Sequence, residues 1–156
     1  MNITVRASQK SDEPFLWAML YQALYVPEGE PPLPREIVQQ PELSQYVREW
    51  GQPDDVGLIA LAGEKPVGAV WLRLIKAYGY VDDQTPELSI AVLPEFRGKG
   101  LGTRLMQELL AAVKGHYAAI SLSVSVDNPA LRLYQRLGFE IVVMHGNSVT
   151  MKLMLH

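Results

Sequence analysis

Apolar residues along this chain switch between two spacings, and the switches mark out its elements. Ile3-Thr4-Val5-Arg6 alternates and predicts a short strand. Ser11-Asp12-Glu13-Pro14 then supplies a capping side chain and a proline at the first turn, the signals that open a helix. Phe15, Leu16, Met19, Leu20, Ala23 and Leu24 fall on one face of that helix, which must end before Pro27. Val26 to Pro34 holds four prolines and a glycine and reads as a loop. A second helix is expected over about residues 35–50, kinked near Pro41.

After Gly51-Gln52-Pro53-Asp54-Asp55 the period changes. Val56 to Ala62 and Val67 to Ile75 read as a hairpin across Gly63-Glu64-Lys65-Pro66. A polar loop over 76–86 leads to an apolar strand over 87–93, and a helix follows over 101–114. Ala119 to Val126 is a fifth strand. Asn128-Pro129 opens a last helix that closes at Gly138, suited to a left-handed stop. Glu140 to Met144 and Ser148 to Leu155 form a closing hairpin across His145-Gly146-Asn147. The order is β-α-α-β-β-β-α-β-α-β-β. It predicts a mixed α/β fold in one domain over 1–156, a sheet with helices on both faces, and no linker or internal repeat.

Composition narrows the function classes. A net charge of −3 argues against a nucleic-acid partner bound through overall charge. The chain has no cysteine, which removes disulfides, thiolate nucleophiles and cysteine–zinc sites together. No run approaches the roughly 18 apolar residues of a membrane helix, and the first residues lack a secretory pattern. The expectation is a cytoplasmic protein without a membrane partner. His116, His145 and His156 are far apart and read as surface residues, so no metal site is expected.

The segment Arg97-Gly98-Lys99-Gly100-Leu101-Gly102 limits function most tightly. It lies between a strand and a helix start, where glycines let the backbone approach an anion and free N–H groups face it. Arg97, Lys99 and Arg104 add positive charge. A Walker A loop needs a Lys-Ser/Thr pair after its last glycine, and the dinucleotide fingerprint needs G-x-G-x-x-G; neither pattern is met. A pyrophosphate cradle of the coenzyme A kind and a plain glycine-rich turn both remain open on these residues alone.

Two stretches together carry a family resemblance. Arg97-Gly98-Lys99-Gly100-Leu101-Gly102 resembles the Arg/Gln-x-x-Gly-x-Gly/Ala motif with which the GNAT N-acetyltransferase superfamily binds acetyl-CoA. Asn128-Pro129-Ala130-Leu131-Arg132-Leu133-Tyr134-Gln135-Arg136-Leu137-Gly138-Phe139 resembles that family's Asn-x-x-Ala-x-x-x-Tyr-x-x-x-Gly-Phe segment, with Ala130 one place early. The order of elements agrees across the chain. The resemblance implies the acyl-CoA N-acyltransferase (GNAT) fold: a mixed, mostly antiparallel sheet of about seven strands, helices on both faces, and the fourth and fifth strands splayed. It implies acetyl transfer from acetyl-CoA to an amine, with no metal.

The resemblance also assigns roles. Backbone groups of Ile90, Ala91 and Val92 would pair with pantetheine in the splay, a form of strand addition. An N–H near Ala91 would hold the thioester oxygen. Gly98, Lys99, Gly100, Leu101, Gly102 and Thr103 would hold the pyrophosphate beside Arg97. Tyr134 has the place of the general acid, although Leu131, Tyr134 and Leu137 also share a helical face that suits a core tyrosine. Asn128 has the place of a cofactor contact and equally of a helix cap.

A protonated amine has a pKa of about 10.4, so a general base is expected. Glu87, opening the fourth strand, is the candidate, and a solvent-exposed strand-end glutamate is the plain alternative. The family's acceptor site lies in loops that here carry Tyr25, Glu28, Tyr80 and Asp82, an acidic and aromatic set suited to a cation. A small-molecule or amino-acid-like amine acceptor is expected. A protein lysine or N-terminus, and a non-catalytic acyl-CoA sensor, are the alternatives. A homodimer stays open as the assembly.

Overall fold

A computed structural model describes residues 2–155; Met1 and His156 lie outside the described residues, and with them the surface position expected of His156. Seven strands form one sheet: β1 (Ile3–Ala7), β2 (Val56–Ala62), β3 (Lys65–Arg73), β4 (Glu87–Val92), β5 (Ala119–Ser125), β6 (Glu140–His145) and β7 (Ser148–Met154). Their order in space is β1-β2-β3-β4-β5-β7-β6. Every neighbouring pair is antiparallel except β4 and β5, which are parallel. Four helices accompany them: α1 (Glu13–Ala23), α2 (Pro41–Ser44), α3 (Leu101–Val113) and α4 (Ala130–Arg136). This is the mixed sheet with helices on both faces that the pattern predicts, and mostly antiparallel as the family resemblance implies.

Alternation along β3 builds a core on each face. Val70 and Leu72 point one way, onto Leu105, Met106 and Leu109 of α3. Ala69 and Trp71 point the other way, onto Leu16, Met19 and Leu20 of α1. Fully burying a Leu or Met side chain is worth about 1.5–3 kcal/mol, so these two layers fix α1 and α3 on opposite sides of β4.

Residues 35–50 depart from the expected kinked helix. A 3-10 turn at Arg35–Gln39 precedes the single turn of α2, and turns carry the chain on to Trp50. Pro41 has no N–H for an i−4 carbonyl, and it holds Gln40 in extended backbone, ψ 141°. The sheet fastens this segment instead. Buried Arg73 donates to the carbonyls of Gln45 (3.0 Å), Arg48 (2.6 Å) and Glu49 (3.2 Å). It also donates to both carboxylate oxygens of Asp55 at 3.0 Å, so all five guanidinium donors are used. Trp71 Nε1 donates to the Tyr46 carbonyl at 3.0 Å. That anchoring brings Tyr46 down to the start of β4.

The β4–β5 junction opens the site. These strands share one registered pair, Glu87 with Ser121, and Ser121 N–H donates to the Pro86 carbonyl at 3.0 Å. From Leu88 to Val92, β4 pairs only with β3. The two parallel strands therefore part just after Glu87, as the expected splay requires.

Candidate active site

The free edge of β4 is set by the parity of its ladder. In an antiparallel pair, alternate residues turn their N–H and C=O to opposite neighbours. Leu93 N–H donates to the Val67 carbonyl, so Ala91 and Ser89, two and four residues back, also face β3. Leu88, Ile90 and Val92 then turn their backbone groups toward β5; Leu88 is engaged there by the Glu87–Ser121 pair, Ile90 and Val92 face the cleft, and the Val92 carbonyl turns away from β3 to accept from Arg97 Nε at 2.9 Å. The N–H of Ala91 itself is thus committed to β3; the donors near it that face the cleft are those of Ile90 and Val92. Ala91 contributes its small side chain to the cleft wall.

The glycine loop follows a 3-10 turn at Pro94–Phe96. Gly98 and Gly100 have φ of +74° and +80°, the left-handed region, and α3 begins directly after Gly100. The first helical bond of α3 runs from Arg104 N–H to the Gly100 carbonyl. The N–H groups of Gly98 to Thr103 have no backbone acceptor among the described residues. A Cβ built at Gly98, Gly100 or Gly102 would meet nothing within 4 Å, so open space lies over the loop. The basic residues separate. Arg97 is held by neutral acceptors, Val92 O and Gln22 Oε1 (3.1 Å). Lys99 Nζ rests 5.6 Å from the Phe96 ring centre. Arg104 is turned away, bonded to Glu108 at 2.7 Å and to the Ile3 carbonyl at 2.9 Å. Leu101 is buried in the core and offers only its N–H to the loop.

Two cavities meet in the splay. The wider, about 710 Å³, runs from Arg97 and Gly102 along Ile90, Ala91 and Val92 to Tyr134. The narrower, about 320 Å³, has Glu87 in its wall with Tyr46 and Tyr78. Ala23, Leu24, Tyr25, Ile90, Asn128 and Tyr134 line both, so these residues form their common boundary.

Tyr134 is 8% exposed, and its ring meets Phe139 edge-on at 6.0 Å. No described residue hydrogen-bonds its hydroxyl, which faces the cavities. Burial pushes its pKa up to about 12, so the phenol is held protonated. Asn128 Oδ1 accepts from Ala130 N–H at 3.0 Å, so the side chain caps α4 and its amide nitrogen is left for the cavities. Tyr25 O–H donates to the Asp127 carbonyl at 3.1 Å, tying the end of α1 to the loop before α4.

Glu87 is not a solvent-exposed strand end: it is 2% exposed. Tyr46 O–H donates a short hydrogen bond to Oε2, and Oε1 is buried without a partner. Burial raises the carboxyl pKa above the usual carboxylate range; the Tyr46 hydroxyl and the N–H dipoles of Gly79 and Ala77 oppose the rise. Gly79 closes the site from the other side. A Cβ there would stand 2.8 Å from Leu122 C and 3.0 Å from Glu87 Cδ, so only glycine fits. Ser121 Oγ–H holds the Gly79 carbonyl at 2.7 Å.

The remaining expected acceptor residues fall elsewhere. Glu28 is exposed and lines neither cavity. Tyr80 O–H donates to Asp83 Oδ1 at 2.6 Å, beside Lys76. Asp82 Oδ1 accepts from Gln84 N–H and the Thr85 hydroxyl, bonds that hold its pKa low. Tyr80 and Asp82 thus build their own loop, outside both cavities. Tyr46, Tyr78 and the serines at 89, 123, 125 and 148 line the narrower cavity instead. Residues 89, 123 and 125 sit on β4 and β5, where their polarity amid apolar neighbours is the sequence signal for a cavity wall.

The model of the acetyltransferase (GNAT) family matches residues 17–139. An N-alpha-acetyltransferase of Saccharolobus solfataricus is 32% identical over 108 residues, 63% of this chain and 62% of that protein. A mycothiol acetyltransferase of Brachybacterium faecium is 33% identical over 99 residues, 62% of this chain and 29% of that protein. The chain thus spans about three fifths, or less, of the length of these curated relatives. The crystal structure of PaiA N-acetyltransferase from Thermoplasma acidophilum in complex with coenzyme A superposes with a TM-score of 0.71 at 20% identity, covering 99% of each chain. At that identity the likeness is one of fold.

Proposed function

The chain belongs to the GNAT acetyltransferase family, and from that premise we propose that it moves the acetyl group of acetyl-CoA to a primary amine by direct attack. One observation carries the proposal: two cavities meet at Tyr134 and Ile90, one open to a glycine-rich helix start and the other lined by a buried carboxylate.

The residues fit coenzyme A. Free N–H groups of Gly98 to Thr103, with open space above them and Lys99 nearby, suit the pyrophosphate. Beyond the Glu87–Ser121 pair, the backbone of Ile90 and the N–H of Val92 suit the amides of pantetheine, with Ala91 as wall and Asn128 also lining the cleft. Alanine at Gly100 would have room but would have to hold φ near +80°, at a cost of about 1–2 kcal/mol. Gly100→Ala is expected to weaken coenzyme A binding about five- to thirtyfold by calorimetry.

Acetyl-CoA supplies an activated acyl carbon with a thiolate leaving group. The acceptor ammonium enters beside Glu87 and gives the carboxylate a proton, directly or through one water. The amine nitrogen then bonds to the acyl carbon while an N–H of Ile90 or Val92 holds the carbonyl oxygen. The C–S bond breaks as Tyr134 gives its hydroxyl proton to sulfur. The nitrogen's surplus proton restores the phenol through solvent, and Glu87 releases the other, so one proton leaves per turnover. A second acceptor, the α-amine of a peptide, has support from the relative named N-alpha-acetyltransferase.

The test is thiol release from acetyl-CoA with a panel of amines, and the mass of the N-acetyl product. Tight coenzyme A binding without thiol release for any amine or peptide would favour the sensor over the enzyme.

A further inference from the structure

The narrower cavity is chemically one-sided. Its wall is mostly apolar and aromatic, with Leu20, Leu24, Leu43, Leu122, Tyr46 and Tyr78 among its residues. Among the described residues Glu87 is the single charged one in it, and no Arg, Lys or His lines it. Tyr46 occupies Oε2 of that carboxylate, while Oε1 is buried and unpartnered. A carboxylate charge with no cation beside it in an apolar wall is costly, and a cationic group in this cavity would offset that cost.

We infer that the acceptor is a small primary monoamine with an uncharged, largely apolar body, an aryl-alkyl or short alkyl amine without a carboxylate or a second cation. The inference rests on the acetyl-transfer reading and narrows it. One ammonium balances the charge of Glu87, the one charged residue of the wall among the described residues. An amino acid would bring a carboxylate into a cavity without a cation to receive it. A diamine would bring a second ammonium with no second carboxylate, because Glu28, Asp82 and Asp83 stand outside and Glu30 lines the wider cavity. The amino-acid-like acceptor expected from loop composition is thereby set aside. Volume agrees: about 320 Å³ takes a ring or a short alkyl chain with its amine at Glu87 and the acyl end at Tyr134. The serine hydroxyls can serve a neutral polar substituent, not a net charge.

The test compares phenethylamine with its carboxylated counterpart phenylalanine, with putrescine and with a neutral tripeptide, using the full chain and acetyl-CoA. We expect kcat/KM for phenethylamine to exceed each of the others at least tenfold. Equal or better turnover of phenylalanine, putrescine or the tripeptide would overturn the inference. Calorimetric titration of the same four compounds into protein saturated with coenzyme A reads selectivity without turnover. There, phenethylamine is expected to bind at least tenfold more tightly than the others; weaker or absent binding overturns the inference. Selective phenethylamine binding with no turnover would sink acetyl transfer and leave the acceptor class standing, so the two failures are separable.

Discussion

Replacing Tyr134 by phenylalanine is expected to lower kcat about 10²- to 10³-fold while coenzyme A affinity changes less than about twofold. The separation follows from how this side chain is held. The ring packs edge-on against Phe139, a contact phenylalanine keeps, and the hydroxyl has no hydrogen-bond partner to strand. Folding and the cleft should therefore survive. What disappears is the hydroxyl at the boundary of the two cavities that is left uncommitted among the described residues, since that of Tyr25 is given to the Asp127 carbonyl. With its pKa near 12 it does not ionise at neutral pH, so it is always present as a donor. A free thiol has a pKa of about 8.5, which makes a phenol a reluctant donor in water. The same burial that raises the phenol also raises the basicity of a thiolate leaving into this cleft, and narrows the gap. Steady-state rates and calorimetry on the same preparation check the split. An unchanged kcat would remove Tyr134 from the chemistry and return it to the core of α4. An affinity loss matching the rate loss would assign the hydroxyl to cofactor binding instead.

The parts of this site legible in the sequence are those whose physics is local. Gly98 and Gly100 announce left-handed backbone before a helix, and both have it, because few other residues tolerate that φ. Asn128-Pro129 announces a cap and makes one, although the helix itself starts at Ala130. Non-local contacts are where the reading fails. The expected helix over 35–50 is undone partly by Pro41 and partly by Arg73, whose guanidinium gathers carbonyls from a segment about 25 residues earlier. Glu87 could be placed at a strand start, but its burial is the work of Tyr46, 41 residues away, and of the preceding loop that folds Gly79 back onto it. Within Ile90 to Val92 the sequence does not say which N–H faces the cleft, since one residue along a strand reverses which neighbour the backbone faces. Tyr80 and Asp82 mislead for the opposite reason. Their loop looks like a cation site by composition, yet its acids are consumed by an adjacent hydroxyl, a threonine and the backbone.

Glu87→Gln should separate activity from stability in opposite directions. Glutamine keeps the shape and still accepts from Tyr46, but it can neither take a proton nor balance an ammonium. We expect kcat/KM at about pH 8 to fall 10²-fold or more, the usual range for loss of a positioned base. In the wild type, kcat/KM should decline as pH falls through a value above the ordinary carboxylate range, because burial raises this carboxyl. The variant's residual rate should lack that acidic limb. Stability runs the other way. Between the ordinary carboxylate pKa and the raised native one, the folded state binds more protons than the unfolded state. Wild-type stability from this group is therefore complete at the acid end of that window and is lost as pH rises through the native pKa. A neutral glutamine carries no such loss. The variant's Tm should exceed the wild type's at about pH 8, and the difference should shrink as the pH is lowered through the window. A Tm gap that stays constant with pH, or a variant less stable at pH 8, would mean that Glu87 is ionised and well compensated in the empty cleft. Its charge would then already be balanced by the protein, and the electrostatic case for a cationic acceptor would lose its basis.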